Sequence, residues 1–70
     1  MSSENFIQEA HRLVGKDVEV ITTEGTYRGT LLSVGSDSLV LETIISGRRI
    51  RMIIRIALII ALFRLIRGIF

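Results

Sequence analysis

Apart from its first dozen positions, this chain follows a two-residue rhythm broken by small polar turns. The opening stretch has a different period. Phe6, Ala10, Leu13 and Val14 recur at i, i+4, i+7 and i+8, which draws one apolar stripe along a helix. A helix is therefore expected over residues 3–14. Ser3 is its N-cap, Glu4 sits in the first turn, and Gly15 is the C′ stop. One narrow stripe needs a surface to lie on, so this helix is an attachment and not an independent fold.

Strand signals follow in quick succession. Residues 17–23 are rich in β-branched side chains and end at Glu24-Gly25. Residues 26–34 form a second strand with Gly29 inside it. A glycine within a strand weakens it and marks a bend, a bulge or a close backbone approach. Gly35-Ser36-Asp37-Ser38 makes the next turn, residues 39–45 a third strand, and Ser46-Gly47 another turn. From Arg48 to Ile54 the alternation returns, with Ile50, Met52 and Ile54 on one face and Arg49, Arg51 and Ile53 on the other.

Residues 55–66 carry two patterns at once. Ile53, Ile54, Ala57, Leu58, Ala61, Leu62, Leu65 and Ile66 fit a helical period, which would give a basic amphipathic helix. The abundance of isoleucine and the unsatisfied edges of the preceding strands argue for strand instead, and strand is the preferred reading. A membrane span is not expected, because spanning takes about 20 predominantly apolar residues and Arg55 and Arg64 interrupt this segment.

Length limits what such elements can build. Seventy residues make one domain, 1–70, and a chain of this size buries only ~60% of its unfolded surface. With no Cys and a single His, His11, neither disulfides nor a Cys-based metal site can reinforce it, and no cofactor is expected. Association with further copies is the remaining source of burial, and a 49% hydrophobic composition suits that. The lack of Cys, and an N-terminal stretch with no apolar run of the secretory kind, point to a cytoplasmic location.

Net charge is only +2, but it is unevenly distributed. Arg12, Lys16 and Arg28 share residues 1–42 with all seven acidic residues, while residues 43–70 hold six Arg and no acid. Such asymmetry suits a basic face for an anionic partner. It equally suits arginines that keep an apolar segment in solution, and the sequence leaves both readings open.

A helix followed by short antiparallel strands with tight turns resembles the Sm-like family, which includes the bacterial Hfq-type RNA chaperones. Val18-Glu19-Val20 with Glu24-Gly25, Tyr27-Arg28-Gly29-Thr30-Leu31 and Leu39-Val40-Leu41-Glu42 are similar to that family's first three strands. Ile54-Arg55 followed by Ile59-Ile60-Ala61-Leu62 resembles its second signature. Ser36 stands where a base-stacking aromatic is usual, Ile56 stands where a glycine is usual, and the Hfq-type Tyr-Lys-His signature is absent. The likeness is accordingly closer to short bacterial members of unassigned role. It implies a mainly β fold, an N-terminal helix and then a strongly bent, five-stranded antiparallel barrel over residues 17–66. It also implies homo-oligomeric rings of six or seven subunits, in which the last strand of one subunit pairs with the fourth strand of the next.

Candidate sites follow from both readings. Arg49 and Arg51 share a strand face, joined at the turn by Arg48. Guanidinium groups pair with phosphate and stack on bases, and a ring would repeat the cluster. The alternative is a charge-protected edge, or pairing of these arginines with Glu42 or Glu24 across strands. By the resemblance, Arg55 faces the ring pore beside Asp37 and Ser38, as an RNA contact or a turn-locking group. Tyr27 is a base-stacking candidate, or a strand tyrosine with one face packed. His11 reads as a surface side chain. Ile53, Ile60, Leu62, Phe63, Leu65 and Ile66 are candidate subunit contacts, because so apolar an ending calls for cover. No nucleophile–base pair and no phosphate-cradling glycine loop is present, so neither an enzyme nor a small-molecule substrate is expected. The expected function is a ring-forming module for single-stranded RNA. The alternatives are an assembly protein that uses its apolar half without nucleic acid, and membrane-surface attachment by a C-terminal helix.

Overall fold

A computed structural model of the chain describes residues 3–65. The elements run α1 (Ser3–His11), β1 (Asp17–Thr22), β2 (Gly25–Val34), β3 (Ser38–Ile45), β4 (Arg48–Arg55), one 3-10 turn (Ile56–Leu58) and β5 (Ile59–Arg64). The fold is therefore mainly β: a short helix, then five antiparallel strands in one sheet of order β4-β3-β2-β1-β5.

Within the ambiguous stretch 55–66, Ile59–Arg64 is a strand, in line with the preferred reading. β5 pairs with β1 from Val18↔Arg64 to Thr22↔Ile59, with a register shift between Ile21 and Thr22. It does not pair with β4. The 3-10 turn redirects the chain after Arg55, and the Thr23 amide bonds the Leu58 carbonyl at 3.0 Å, which carries β5 across to β1. The sheet is consequently not closed into a barrel, and β4 and β5 are its two edges.

The bend lies in β2. Its first half pairs with β1, from Thr22↔Gly25 to Asp17↔Thr30, and its second half with β3, from Thr30↔Glu42 to Val34↔Leu39. Leu32 is left without a partner where the second ladder shifts, and such a bulge sharpens the local twist. At the changeover β3 crosses so close that a Cβ on Gly29 would overlap the Glu42 carbonyl oxygen. Only glycine admits this approach.

Curvature gathers one side of the sheet into a core of Val18, Val20, Leu31, Leu39, Leu41 and Ile54, with Ala10 of α1 laid over it. Phe6 and Leu13 pack on that core, but Val14, the last member of the predicted stripe, is exposed. The helix also ends at His11, earlier than expected, and Arg12–Gly15 form a turn. Gly15 takes φ +87°, and its amide donates to the Leu31 carbonyl at 2.7 Å while the Leu31 amide donates to Lys16 at 3.0 Å. Tying the chain to β2 there removes the last helical turn.

The β1–β2 corner is fixed by one buried hydroxyl. Thr22 Oγ1 donates to the Gly25 carbonyl at 2.8 Å and accepts the Glu24 amide at 3.1 Å. Thr22→Val keeps the shape and removes both bonds. It should cost about 1–2 kcal/mol, read as a lower urea midpoint at unchanged slope.

Candidate nucleic-acid interface

Alternation along β4 sorts its side chains. Ile54 is buried and Met52 half-buried on the core side, while Arg49, Arg51, Ile53 and Arg55 are exposed on the other. Ile50 shares the core-side row but is exposed, because its partner Thr43 lies just beyond Glu42, where β2 stops pairing with β3. The basic residues of β4 thus reach solvent, and the strand supplies no acid of its own.

Register then gives the arginines different neighbours. Arg51 lies opposite Glu42 and forms an ion pair with it at 3.8 Å, the cross-strand pairing that the sequence left open. Arg49 lies opposite Ile44, and Arg48 opposite Ile45, so neither faces a carboxylate across the ladder. Among the described residues Arg48, Arg49, Arg55 and Arg64 form no ion pair, whereas Arg28 meets Glu19 at 3.4 Å. These pairs are exposed on the arginine side and add little to stability. Their effect is to draw on the charge of Arg28 and Arg51, while Arg48, Arg49 and Arg55 keep theirs undivided for an anion.

Arg55 stands at a junction. Ser38 is its partner in the β3–β4 ladder, and the next amide, Ile56, donates to the Asp37 carbonyl at 2.8 Å. Arg55 and Asp37 line a shallow cleft of about 220 Å³ with Ser36, Ile56 and Ala57, and no Asp37–Arg55 ion pair forms among the described residues. On its other side Arg55 borders a second cleft of about 260 Å³, walled by Tyr27, Met52, Ile54 and Leu58. Tyr27 packs part of its ring on the core, and its hydroxyl lies over Gly25.

The predicted nucleic-acid residues therefore fall into two groups. Asp37, Ser38, Arg55 and Tyr27 gather at one end of β4. Arg48 and Arg49 stand at the other, about 20 Å away at strand rise, with Arg51 between them. Ile56 and Ala57 also line the Arg55 cleft, a role with no signal in the sequence, because an apolar pair within an apolar run carries no distinguishing chemistry.

The apolar candidates divide as well. Ile53 on β4 is 74% exposed, and Ile60 and Phe63 on β5 are 68% and 52% exposed, so both free edges carry bare hydrophobic side chains. Leu62 packs against the core of its own chain, and Leu65 is half-buried, its amide bonded to the Asp17 carbonyl at 2.9 Å. Ile66 lies outside the described residues. Three exposed isoleucines were not among the candidates: Ile44 and Ile45, at the end of β3, and Ile50 on β4.

Among the described residues no group of His, Cys, Asp or Glu is arranged to hold a metal, and no helix is long and apolar enough to cross a membrane. Comparison with protein-family models, with curated proteins and with solved structures finds no match to this chain.

Proposed function

We propose that this chain is an Sm-like subunit that assembles head to tail into a ring of six or seven copies and binds single-stranded RNA, without catalysing a reaction. The observation that carries the reading is the pairing of features on β4: an unpaired sheet edge and a row of outward arginines. An open edge is a template for another strand, and β5 offers the second edge with its own exposed Ile60 and Phe63. Joining β4 of one subunit to β5 of the next is a heterologous contact, which makes a ring when the rotation closes. The arginines then recur once per subunit. Contacts that are individually weak in salt gain from the high effective concentration of linked copies.

In this arrangement Arg49 and Arg51 hold phosphates, and Arg55 with Tyr27 receives a base at the clefts beside Asp37 and Ser38. Arg49→Ala with Arg51→Ala should abolish binding of uridine- or adenosine-rich oligonucleotides and leave assembly intact. Arg49→Ala alone should weaken binding more than Arg51→Ala alone, because Glu42 already draws on the Arg51 charge. Binding to wild-type protein should weaken steeply with salt, and each phosphate contact removed should reduce the logarithmic salt slope by ~0.7. Native mass spectrometry with and without nuclease reports ring size and copurified RNA together. Rings that bind no oligonucleotide at low salt would leave assembly as the function and remove RNA from the proposal.

A further inference from the structure

The β3–β4 hairpin runs past the sheet that supports it. The last β3 residue paired with β2 is Glu42, opposite Thr30, whereas the β3–β4 ladder continues through Thr43↔Ile50, Ile44↔Arg49 and Ile45↔Arg48. Thr43 is still half-buried and, with Ile44, borders a cleft against Arg28, Gly29 and Thr30, so the ribbon that reaches beyond the sheet is the last two pairs and the turn, about 7 Å long at strand rise. The turn is tight: Ser46 and Gly47 have φ of 53° and 78°, the paired left-handed geometry of a two-residue hairpin loop. A Cβ on Gly47 would meet nothing within 4 Å, so the tip projects into open space.

This ribbon has a composition unlike the body below it. Ile44 is 68% and Ile45 52% exposed, and because neighbours along a strand alternate, they point to opposite faces. Each is opposed across the ladder by an exposed arginine, Arg49 or Arg48. The Glu42–Arg51 ion pair closes the base of the ribbon, and no acid lies beyond it.

We infer that this hairpin tip is a wedge for an anionic lipid surface. Apolar side chains on both faces suit insertion between lipids and have no counterpart in contact with a phosphodiester backbone. Flanking guanidinium groups suit anionic headgroups, which reward each basic residue near the surface. The overhang matches the depth, about 5–10 Å, to which peripheral elements bury their apolar faces. A second copy of the same tip is a poor occupant, since tip against tip would bring four arginines together without an acid. The inference does not need ring assembly, although a ring would present several tips at once.

Flotation with phosphatidylcholine vesicles, with and without phosphatidylserine, tests it on the full chain. Wild-type protein should bind the vesicles that contain phosphatidylserine and not the neutral ones. Arg48→Ala with Arg49→Ala should weaken that binding roughly thirtyfold. Ile44→Ser with Ile45→Ser should weaken it tenfold or more. The isoleucine variant should keep the circular dichroism, oligonucleotide affinity and subunit number of wild type. Equal binding of wild type and isoleucine variant to the vesicles would overturn the wedge. So would a matching loss of oligonucleotide affinity, which would make the tip an RNA contact, or a fall in subunit number, which would make it a subunit contact. Failure of RNA binding or ring formation in wild-type protein would sink the proposed function and leave this inference standing.

Discussion

Gly29→Ala should lower the melting temperature by about 12 °C or more, and Gly29→Val should leave the chain unfolded. Gly29 carries no positive φ, so the effect is steric and not conformational. A Cβ there would overlap the Glu42 carbonyl oxygen, with the Glu42 carbonyl carbon at 3.0 Å and Leu41 Cγ at 3.3 Å. A flexible side chain could yield, but here the obstacle is the backbone of β3. Relief requires β3 to move off β2, which strains the Thr30↔Glu42 and Leu31↔Leu41 pairs and displaces Leu41 from the core. Overpacking at one site costs about 1–3 kcal/mol, and loss of ladder pairing adds to it. A domain of this size has only about 3–10 kcal/mol in total, at ~4–8 °C per kcal/mol. Gly35→Ala is the control. Its Cβ would meet Ser38 at 3.5 Å, an ordinary contact, so its melting temperature should change by only a few degrees. An equal loss from both substitutions would mean that Gly29 is not a point of close approach.

The same glycine shows what was legible in the sequence. Its position inside a strand pattern announced a bend, because glycine there weakens the strand unless the backbone needs the space. The neighbouring bulge at Leu32 was not announced, since Leu31-Leu32 reads as ordinary strand and the extra residue is defined only by its partner strand. Strand identities over residues 17–54 followed from period-two alternation, which survives because one face of each strand meets the core. The final segment was ambiguous because a run of Ile, Leu and Ala satisfies both periods. Pairing with β1 decided it, and that is a tertiary fact. The helix end at His11 was likewise set from outside, by the Gly15–Leu31 and Leu31–Lys16 bonds.

Legibility of the site follows the same rule. Charge type and strand face can be read directly, so the shared outward face of Arg49 and Arg51 is both expected and found, while Arg55, expected at a turn, ends β4 on that same face. Which arginine remains without an acidic neighbour depends on register, and so does the overhang of Ile44 and Ile45. Alternation alone could not reveal that β2 stops supporting β3 beyond Glu42.

Ile53→Asp on β4 and Ile60→Asp on β5 should each prevent the ring, and an equal mixture of the two variants should form a discrete dimer. Both isoleucines are highly exposed and sit on strands whose outer edges are unpaired, so a carboxylate there costs the single chain little. At a strand junction it would be stripped of water without a partner, which is a strong deterrent to edge pairing. A head-to-tail junction uses β4 of one subunit and β5 of the next, so each variant keeps one sound edge. Mixed together, the sound β4 of Ile60→Asp meets the sound β5 of Ile53→Asp, and growth stops there because the remaining edges are both blocked. Native mass spectrometry should then show single variants at 7.9 kDa, the mixture at about twice that mass, and wild type at six or seven times it. An isologous contact predicts a different outcome: β4 on β4 would leave Ile60→Asp associated by itself, and β5 on β5 would leave Ile53→Asp so. Either result would replace the ring with a two-fold dimer and remove the repeated band of arginines on which multivalent RNA binding depends.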